Sequence, residues 1–154
     1  MEGLERIVLA HPFFAGLEAE LGQLVSGCAR NLRFDQGQYL FHEGDAANEF
    51  YLIRHGAVAL EIQPPGQLAI VIATEGQGEI VGTSWVLPPY RWRFDARAVE
   101  LTRAIGIDAR CLRDKCEADH HLGYELMKRF VPIVAQRLDD ARLQLLDVYG
   151  RHGG

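Results

Sequence analysis

Residues 37–56 read GQYLFHEGDAANEFYLIRHG and contain two short strand patterns with a turn between them. Tyr39–His42 is the first pattern, and the Gly44-Asp45 pair that follows it is a common turn signal. Phe50–Ile53 is the second pattern, an apolar run of the kind that fills a buried strand. The stretch therefore predicts a strand, a turn, a buried strand and a further glycine turn, in that order.

Short strand patterns continue on both sides of this stretch, from Asn31 to Asp108. Within Ala57–Ile62, the residues Val58, Leu60 and Ile62 fall on one face, which is the period-two pattern of a half-buried strand. Many short strands separated by glycine and proline turns favour a β jelly roll or barrel. The predicted strands are Asn31–Phe34, Tyr39–His42, Phe50–Ile53, Ala57–Ile62, Leu68–Ala73, Ala96–Glu100 and Arg103–Ile107.

Helical patterns flank the predicted β region. Before it, apolar residues at helical spacing predict N-terminal helices, interrupted by a turn at His11-Pro12. After it, the chain again shows helical spacing as far as Gly150. We therefore expect one domain over residues 1–154, with N-terminal helices in 1–30, a β jelly roll in 31–108 and C-terminal helices in 109–150.

The strand and turn order of residues 37–56 resembles the barrel of cyclic-nucleotide-binding domains, the sensor half of the CRP/FNR regulators. The Phe14-Ala15-Gly16-Leu17 segment ahead of it resembles the same family. The resemblance runs from residue 13 to about residue 149 and is specific in the first half of the barrel and in the final helix. It implies a mainly β fold with helices at both ends, and a non-enzymatic regulatory sensor.

The last helical segment carries an apolar stripe at alternating spacings of three and four residues. This is the pattern of a coiled-coil contact, although the stripe could also pack only on the chain's own barrel. The resemblance favours a homodimer, because the family pairs its subunits through the final helix. Pro132 is expected to kink this helix or to begin a separate one. The stripe consists of Met127, Val131, Val134, Leu138, Ala141, Leu145 and Val148.

The resemblance also implies a ligand cassette, in which a helix N-terminus and an arginine hold the cyclic phosphate and a glutamate holds the ribose. Residues 78–98, GEIVGTSWVLPPYRWRFDARA, correspond to it, and Gly82 falls on the cassette glycine. Thr83 replaces the ribose glutamate. The phosphate arginine falls on Arg93 when counted forward from Gly82, and on Trp92 when counted back from Ala98. The candidate ligand-binding residues are Val81, Gly82, Thr83, Ser84, Arg91 and Arg93.

Three outcomes are open at this cassette. The first is a cyclic nucleotide, cAMP or cGMP, and the second is another small anionic ligand. For either, Thr83 and Ser84 would offer hydroxyls and backbone donors at a helix N-terminus, with arginines nearby. The third is a ligand-free structural subunit in which Trp85, Pro88, Pro89, Tyr90 and Trp92 fill the pocket, while the arginines face water or pair with Asp95 and Glu100.

The acidic balance of the chain limits its partners. A formal net charge of −5 disfavours contact with duplex DNA, and nothing after the barrel resembles the family's helix-turn-helix. We expect no direct DNA binding and a protein partner of unknown identity. No apolar run reaches the roughly 20 residues of a membrane helix, and no signal-peptide layout opens the chain. The expected location is the cytoplasm.

Three cysteines, Cys28, Cys111 and Cys116, bear on metal and redox chemistry. An odd and sparse count argues against a disulfide framework, and no CxxC spacing occurs. FNR-type relatives hold an iron–sulfur cluster with closely spaced N-terminal cysteines, whereas only Cys28 lies near the N-terminus here. We expect ordinary buried thiols and no metal.

A cupin-type metalloenzyme is the enzymatic alternative for a jelly roll. His42, Glu49 and His55 are its candidate ligands, but His42 has no histidine two residues away and no later strand carries one. A protein metal site needs three or four convergent ligands. The Gly-x-Ser-x-Gly motif of many hydrolases does not occur either. The sequence therefore predicts no enzymatic activity.

Overall fold

The computed structural model describes the backbone of residues 2–152 and the side chains of residues 3–150. Its helices are α1 (Glu2–Ala10), α2 (Ala19–Ser26), α3 (Ala109–Ala118) and α4 (His120–His152), with a short 3-10 turn at Pro12–Phe14. The strands are β1 (Ala29–Phe34), β2 (Tyr39–Phe41), β3 (Glu49–His55), β4 (Ala57–Ile62), β5 (Ile70–Gly76), β6 (Ile80–Val81), β7 (Asp95–Ala98) and β8 (Thr102–Asp108). Within this part of the chain, no helix has both the length and the hydropathy of a bilayer span.

Two four-stranded antiparallel sheets form the predicted jelly roll. One has the strand order β1-β8-β3-β6 and the other β2-β7-β4-β5. All seven predicted strands are present with ends moved by a few residues; β5, for example, begins at Ile70 rather than Leu68. The sequence did not predict β6, because two residues inside the cassette show no periodicity.

Apolar side chains of β3 and β8 occupy the centre of the barrel. Phe50 pairs with Ile107 and Leu52 with Ile105 along the two strands. All four side chains are fully buried. Each such burial contributes about 1.5–3 kcal/mol to stability. The apolar run Phe50–Ile53, predicted as a buried strand, is confirmed as part of the core strand β3.

His11 and Pro12 form the predicted turn after α1. His11 is buried, and its Nδ1 accepts a hydrogen bond from the Phe13 amide at 3.2 Å. The proton therefore lies on Nε2, which donates to the Ile53 carbonyl at 3.1 Å. Burial lowers the pKa of His11. A neutral histidine thus ties the N-terminal segment to β3.

Helices α3 and α4 meet at Asp119, whose carboxylate accepts hydrogen bonds from the His121 and Leu122 amides at 3.1 and 3.2 Å. This is the usual way to satisfy the free donors of a helix N-terminus. Pro132 lies inside α4. The expectation that Pro132 begins a separate helix is wrong, because the ladder resumes after the one donor that proline lacks.

Cys28 and Cys111 form a disulfide, with their Cα atoms 5.7 Å apart. The expectation of ordinary thiols is therefore wrong for these two residues. The two cysteines are 83 residues apart in sequence, so no local pattern predicts their contact. The contact arises because β1 pairs with β8 and brings Ala29 opposite Ile107. Cys116 is a free thiol whose pKa is raised by burial.

Candidate functional site

The cassette, residues 78–98, passes from β6 to β7 without forming a helix. Residues 83–90 form successive turns, with hydrogen bonds from the Val86 amide to the Thr83 carbonyl (3.2 Å) and from the Tyr90 amide to the Leu87 carbonyl (3.0 Å). The expected helix N-terminus at Thr83 is therefore wrong. The adjacent Pro88-Pro89 pair lacks two amide donors, so a helical ladder cannot pass through it.

Trp92 occupies the interior of the cassette. Its ring is 3% exposed and stacks on Phe41 with centroids 3.7 Å apart. A Cβ atom on Gly82 would collide with this ring, and the φ of Gly82 is +109°. The cassette glycine is therefore needed both for its backbone conformation and for the space that the indole takes.

Four of the six candidate residues lie together. They form one wall of a groove of about 600 Å³, whose other wall is the segment of α4 from Met127 to Leu138. We call it the cassette groove. The α4 side of the groove is apolar, whereas the cassette side also carries these four polar or charged residues, which are Thr83, Ser84, Arg91 and Arg93.

The other two candidate residues lie outside the groove. Val81 is fully buried in β6, opposite Tyr51 of β3. Gly82 is buried against Trp92. Both residues therefore lie in the protein core next to the cassette and do not line the groove.

The three cassette arginines have different surroundings. Arg91 donates to the Gly44 carbonyl at 2.9 Å. Arg97 forms two hydrogen bonds with Glu61, at 3.0 and 3.2 Å, which raise the pKa of Arg97. Arg93 is exposed and has no hydrogen bond or ion pair with any residue described. Arg93 is thus the cassette arginine whose guanidinium is free for a ligand.

Asp95, the carboxylate expected to oppose an anion, does not line the groove. It accepts a hydrogen bond from the Glu43 amide at 2.7 Å and lies 3.5 Å from Nδ1 of His42. Of the two alternatives for the arginines, Arg93 faces water. Pairing with Asp95 or Glu100 is not seen among the described residues, and Arg97 pairs with Glu61 instead. The position of Asp95 leaves the groove without its charge.

Helix α4 is anchored to the barrel next to the cassette by a polar cluster that the sequence did not reveal. Arg137 donates to the Ile80 carbonyl at 3.1 Å and lies 3.6 Å from the Glu75 carboxylate. Burial, together with the neighbouring Glu79, raises the pKa of Glu75 to about 7. No motif marks these residues, since they lie about 60 positions apart along the chain.

An aromatic cluster joins the cassette to the same helix. Phe130 of α4 packs edge-on against Trp85 of the cassette (5.1 Å) and Phe50 of the barrel (5.3 Å). Phe13 also packs edge-on against Phe130, with ring centroids 4.8 Å apart. A displacement of Trp85 in the cassette would therefore act on α4 directly, through its contact with Phe130.

One group of side chains has the composition of a metal site. The ligand atoms of Glu18, His121 and Glu125 lie within 4.8 Å of one another. However, Glu125 already pairs with Arg129 at 2.9 Å and Lys128 at 3.2 Å. These cations neutralise the carboxylate that a metal would need. The cupin candidates His42, Glu49 and His55 form no such group among the residues described.

The sequence profile of the cyclic nucleotide-binding domain family matches residues 31–119, more than half of the chain. The matched range contains the whole cassette and α3. It ends before α4, so the profile itself does not cover the second wall of the groove.

Two solved structures share the fold. A candidate cyclic nucleotide-binding protein from Geobacter metallireducens GS-15 is 28% identical with a TM-score of 0.73, covering 90% of this chain and 99% of that one. A cyclic nucleotide-binding domain from Methylobacillus flagellatus KT is 19% identical with a TM-score of 0.77, covering 95% and 82%. With 90% and 95% of this chain covered, both likenesses extend over more of the chain than the family profile does.

A curated relative matches a shorter segment. The lysophospholipase nte1 of Neosartorya fischeri is 37% identical over 51 residues, which is 33% of this chain. The match spans about 3% of the relative's length.

Proposed function

Since the chain belongs to the cyclic nucleotide-binding domain family, with the fold of CRP/FNR-type sensors, we propose that it is a regulatory sensor module that performs no catalysis. Its ligand is a small anion bound in the cassette groove, with cAMP and cGMP as the first candidates. The observation that carries this proposal is the convergence of Thr83, Ser84, Arg91 and Arg93 on one groove whose other wall is α4.

The proposed signal is a shift of α4. A ligand in the groove would contact Met127, Val131 and Leu138 directly. It can change the position of α4 only if it binds one arrangement of the helix better than another. Arg137 and Phe130, which join α4 to the barrel and the cassette, are the contacts that such a shift would alter.

The proposed partner of α4 is a second copy of the chain. Beyond the groove, the helix leaves Leu145 and Val148 exposed, by 56% and 50%. These belong to the stripe at coiled-coil spacing, which supports pairing of two α4 helices. A further protein partner and the cytoplasmic location stay predictions.

Thermal unfolding with cAMP, cGMP, cyclic dinucleotides and ordinary nucleotides tests the sensor function. A ligand at about 100 times its Kd stabilises the folded state by about 2.7 kcal/mol, which raises Tm by several degrees for a chain of this size. Arg93→Gln should abolish the shift. Arg103→Gln, an exposed arginine on β8 outside the groove, is the matched control and should keep it.

A second candidate function is that of a ligand-free interaction subunit. It is favoured by Trp92, which fills the cassette interior where the backward count places the phosphate arginine. A Tm that none of these nucleotides changes would contradict cAMP and cGMP as ligands, and the ligand-free subunit would then be favoured unless another small anion binds.

A further inference from the structure

The cassette groove has an unusual lining for a nucleotide site. Most of its side chains are aliphatic or aromatic, and the charged ones among the residues described are Arg91 and Arg93. Four other cavities of this molecule each include at least one carboxylate in their lining. The groove is therefore apolar and positive, without an opposing negative charge.

A nucleotide would leave much of its polar surface unsatisfied in this groove. Sugar hydroxyls and base edges need hydrogen-bond partners once they lose water, and each missing partner lowers affinity. Among the residues described, Thr83 and Ser84 are the hydroxyl-bearing side chains of the lining, and Trp92 fills the space behind them. An apolar chain needs no such partners.

The arginines suit an anionic head group at the cassette wall. Arg93 has no partner among the described residues, and Arg91 uses Nη1 for the Gly44 carbonyl, which leaves its other donors free. A guanidinium presents two parallel N–H donors that match the two oxygens of a carboxylate. Charge complementarity thus selects an anion whose remainder is apolar.

We propose that the cassette groove binds an amphiphilic carboxylate, with its hydrocarbon chain along α4 and its head group on Arg93. This inference rests on the proposed sensor function and names the chemical class of its ligand. A volume of about 600 Å³ lies within the range of about 300–1,000 Å³ that is common for small-molecule sites. A second copy of the chain is not the proposed occupant, because the stripe on α4 continues past the groove to Val148.

Calorimetric titration with octanoate, decanoate and dodecanoate, each below its micelle concentration, tests whether the groove binds the hydrocarbon chain of the ligand. Every pair of added methylenes should tighten Kd by about tenfold until the groove is full. Val134 lines the groove and is 50% exposed, so Val134→Asp should fold and yet abolish binding. Affinity that does not depend on chain length would overturn the proposal.

Arg93→Gln tests the head group. It should weaken dodecanoate by about fivefold to tenfold and leave the uncharged decanol unchanged. Arg103→Gln is the matched control and should change neither. Equal weakening of both ligands, or none of either, would show that Arg93 does not bind the carboxylate and would overturn the proposal.

The remaining outcomes separate this inference from the sensor function. Binding of cAMP or cGMP without binding of the carboxylates would overturn the inference and leave the sensor intact. Binding of neither class would count against both. Carboxylate binding that appears only in a variant that cannot dimerise would show that a second copy covers the groove, and would also overturn the inference.

Discussion

At the residue scale, an indole occupies position 92, where the count back from Ala98 places the phosphate arginine. A guanidinium needs an anion or water around it, whereas the Trp92 ring needs apolar contacts and finds them on Phe41. Gly82 makes room for the ring. The glycine that the resemblance places in the ligand cassette therefore serves packing in this molecule.

Gly82→Ala is expected to destabilise the protein more than a comparable change elsewhere. Gly44 also has a positive φ, +90° against +109° for Gly82, but a Cβ at Gly44 meets nothing within 4 Å. Gly44→Ala should thus show backbone strain alone, about 1–2 kcal/mol. Gly82→Ala should add about 1–3 kcal/mol of overpacking against Trp92. Urea unfolding measures both; equal losses would contradict the packing of Trp92.

At the element scale, α4 has two different halves. The first half is held to the barrel by Phe130, which packs on Phe50, and to the N-terminal segment by Arg129, which donates to the Ala15 carbonyl at 2.9 Å. Arg137 is the last of these anchors, next to the buried Glu75. After it, every residue of α4 whose side chain is described is exposed. A titratable group, Glu75, therefore lies at the point where α4 leaves the barrel.

Two buried groups should give opposite pH dependences of stability. The pKa of His11 is lowered from 6.5, so the unfolded chain binds more protons and stability falls as pH decreases below about 6.5. The pKa of Glu75 is raised from 4.5 to about 7, so the folded chain binds more protons. The contribution of Glu75 is present below pH 4.5 and is lost as pH rises to about 7.

Single variants separate these two contributions. In Glu75→Gln, Tm should rise more steeply with pH below 6.5 than in the unmodified chain. In His11→Gln, Tm should instead decline more steeply between pH 4.5 and 7. Thermal scans at closely spaced pH values measure both slopes. A slope that is the same in all three proteins would contradict the burial of these groups.

At the scale of the whole molecule, the exposed stripe on α4 predicts association. Leu145 lies on the stripe but outside the cassette groove, so it can be changed without altering the ligand site. Leu145→Glu should convert a dimer to a monomer, because it places a charge in an apolar contact. Arg142→Glu, an exposed position off the stripe, is the matched control. Light scattering gives the mass; an unchanged mass in Leu145→Glu would contradict pairing through α4.

Local patterns indicated the short strands of the jelly roll and the flanking helices, and the resemblance to cyclic-nucleotide-binding domains indicated the region of the site. Period-two alternation, glycine turns and helical spacing each act over a few residues, and the fold agrees with all three kinds of local preference. The run Phe50–Ile53 became the central buried strand for this reason. The convergence of Thr83, Ser84, Arg91 and Arg93 on one groove also follows their closeness in the chain.

Contacts between distant segments needed the tertiary structure. The Cys28–Cys111 disulfide, the burial of Trp92 on Phe41 and the Glu75–Arg137 pair each join residues far apart in sequence. Their proximity depends on strand pairing and helix docking, which no local pattern encodes. The direction of Asp95 away from the groove, toward the Glu43 amide, is of the same kind. The charge and shape of the groove therefore depend on packing, because a side chain's partners are settled only when the sheets close and α4 lies across the cassette.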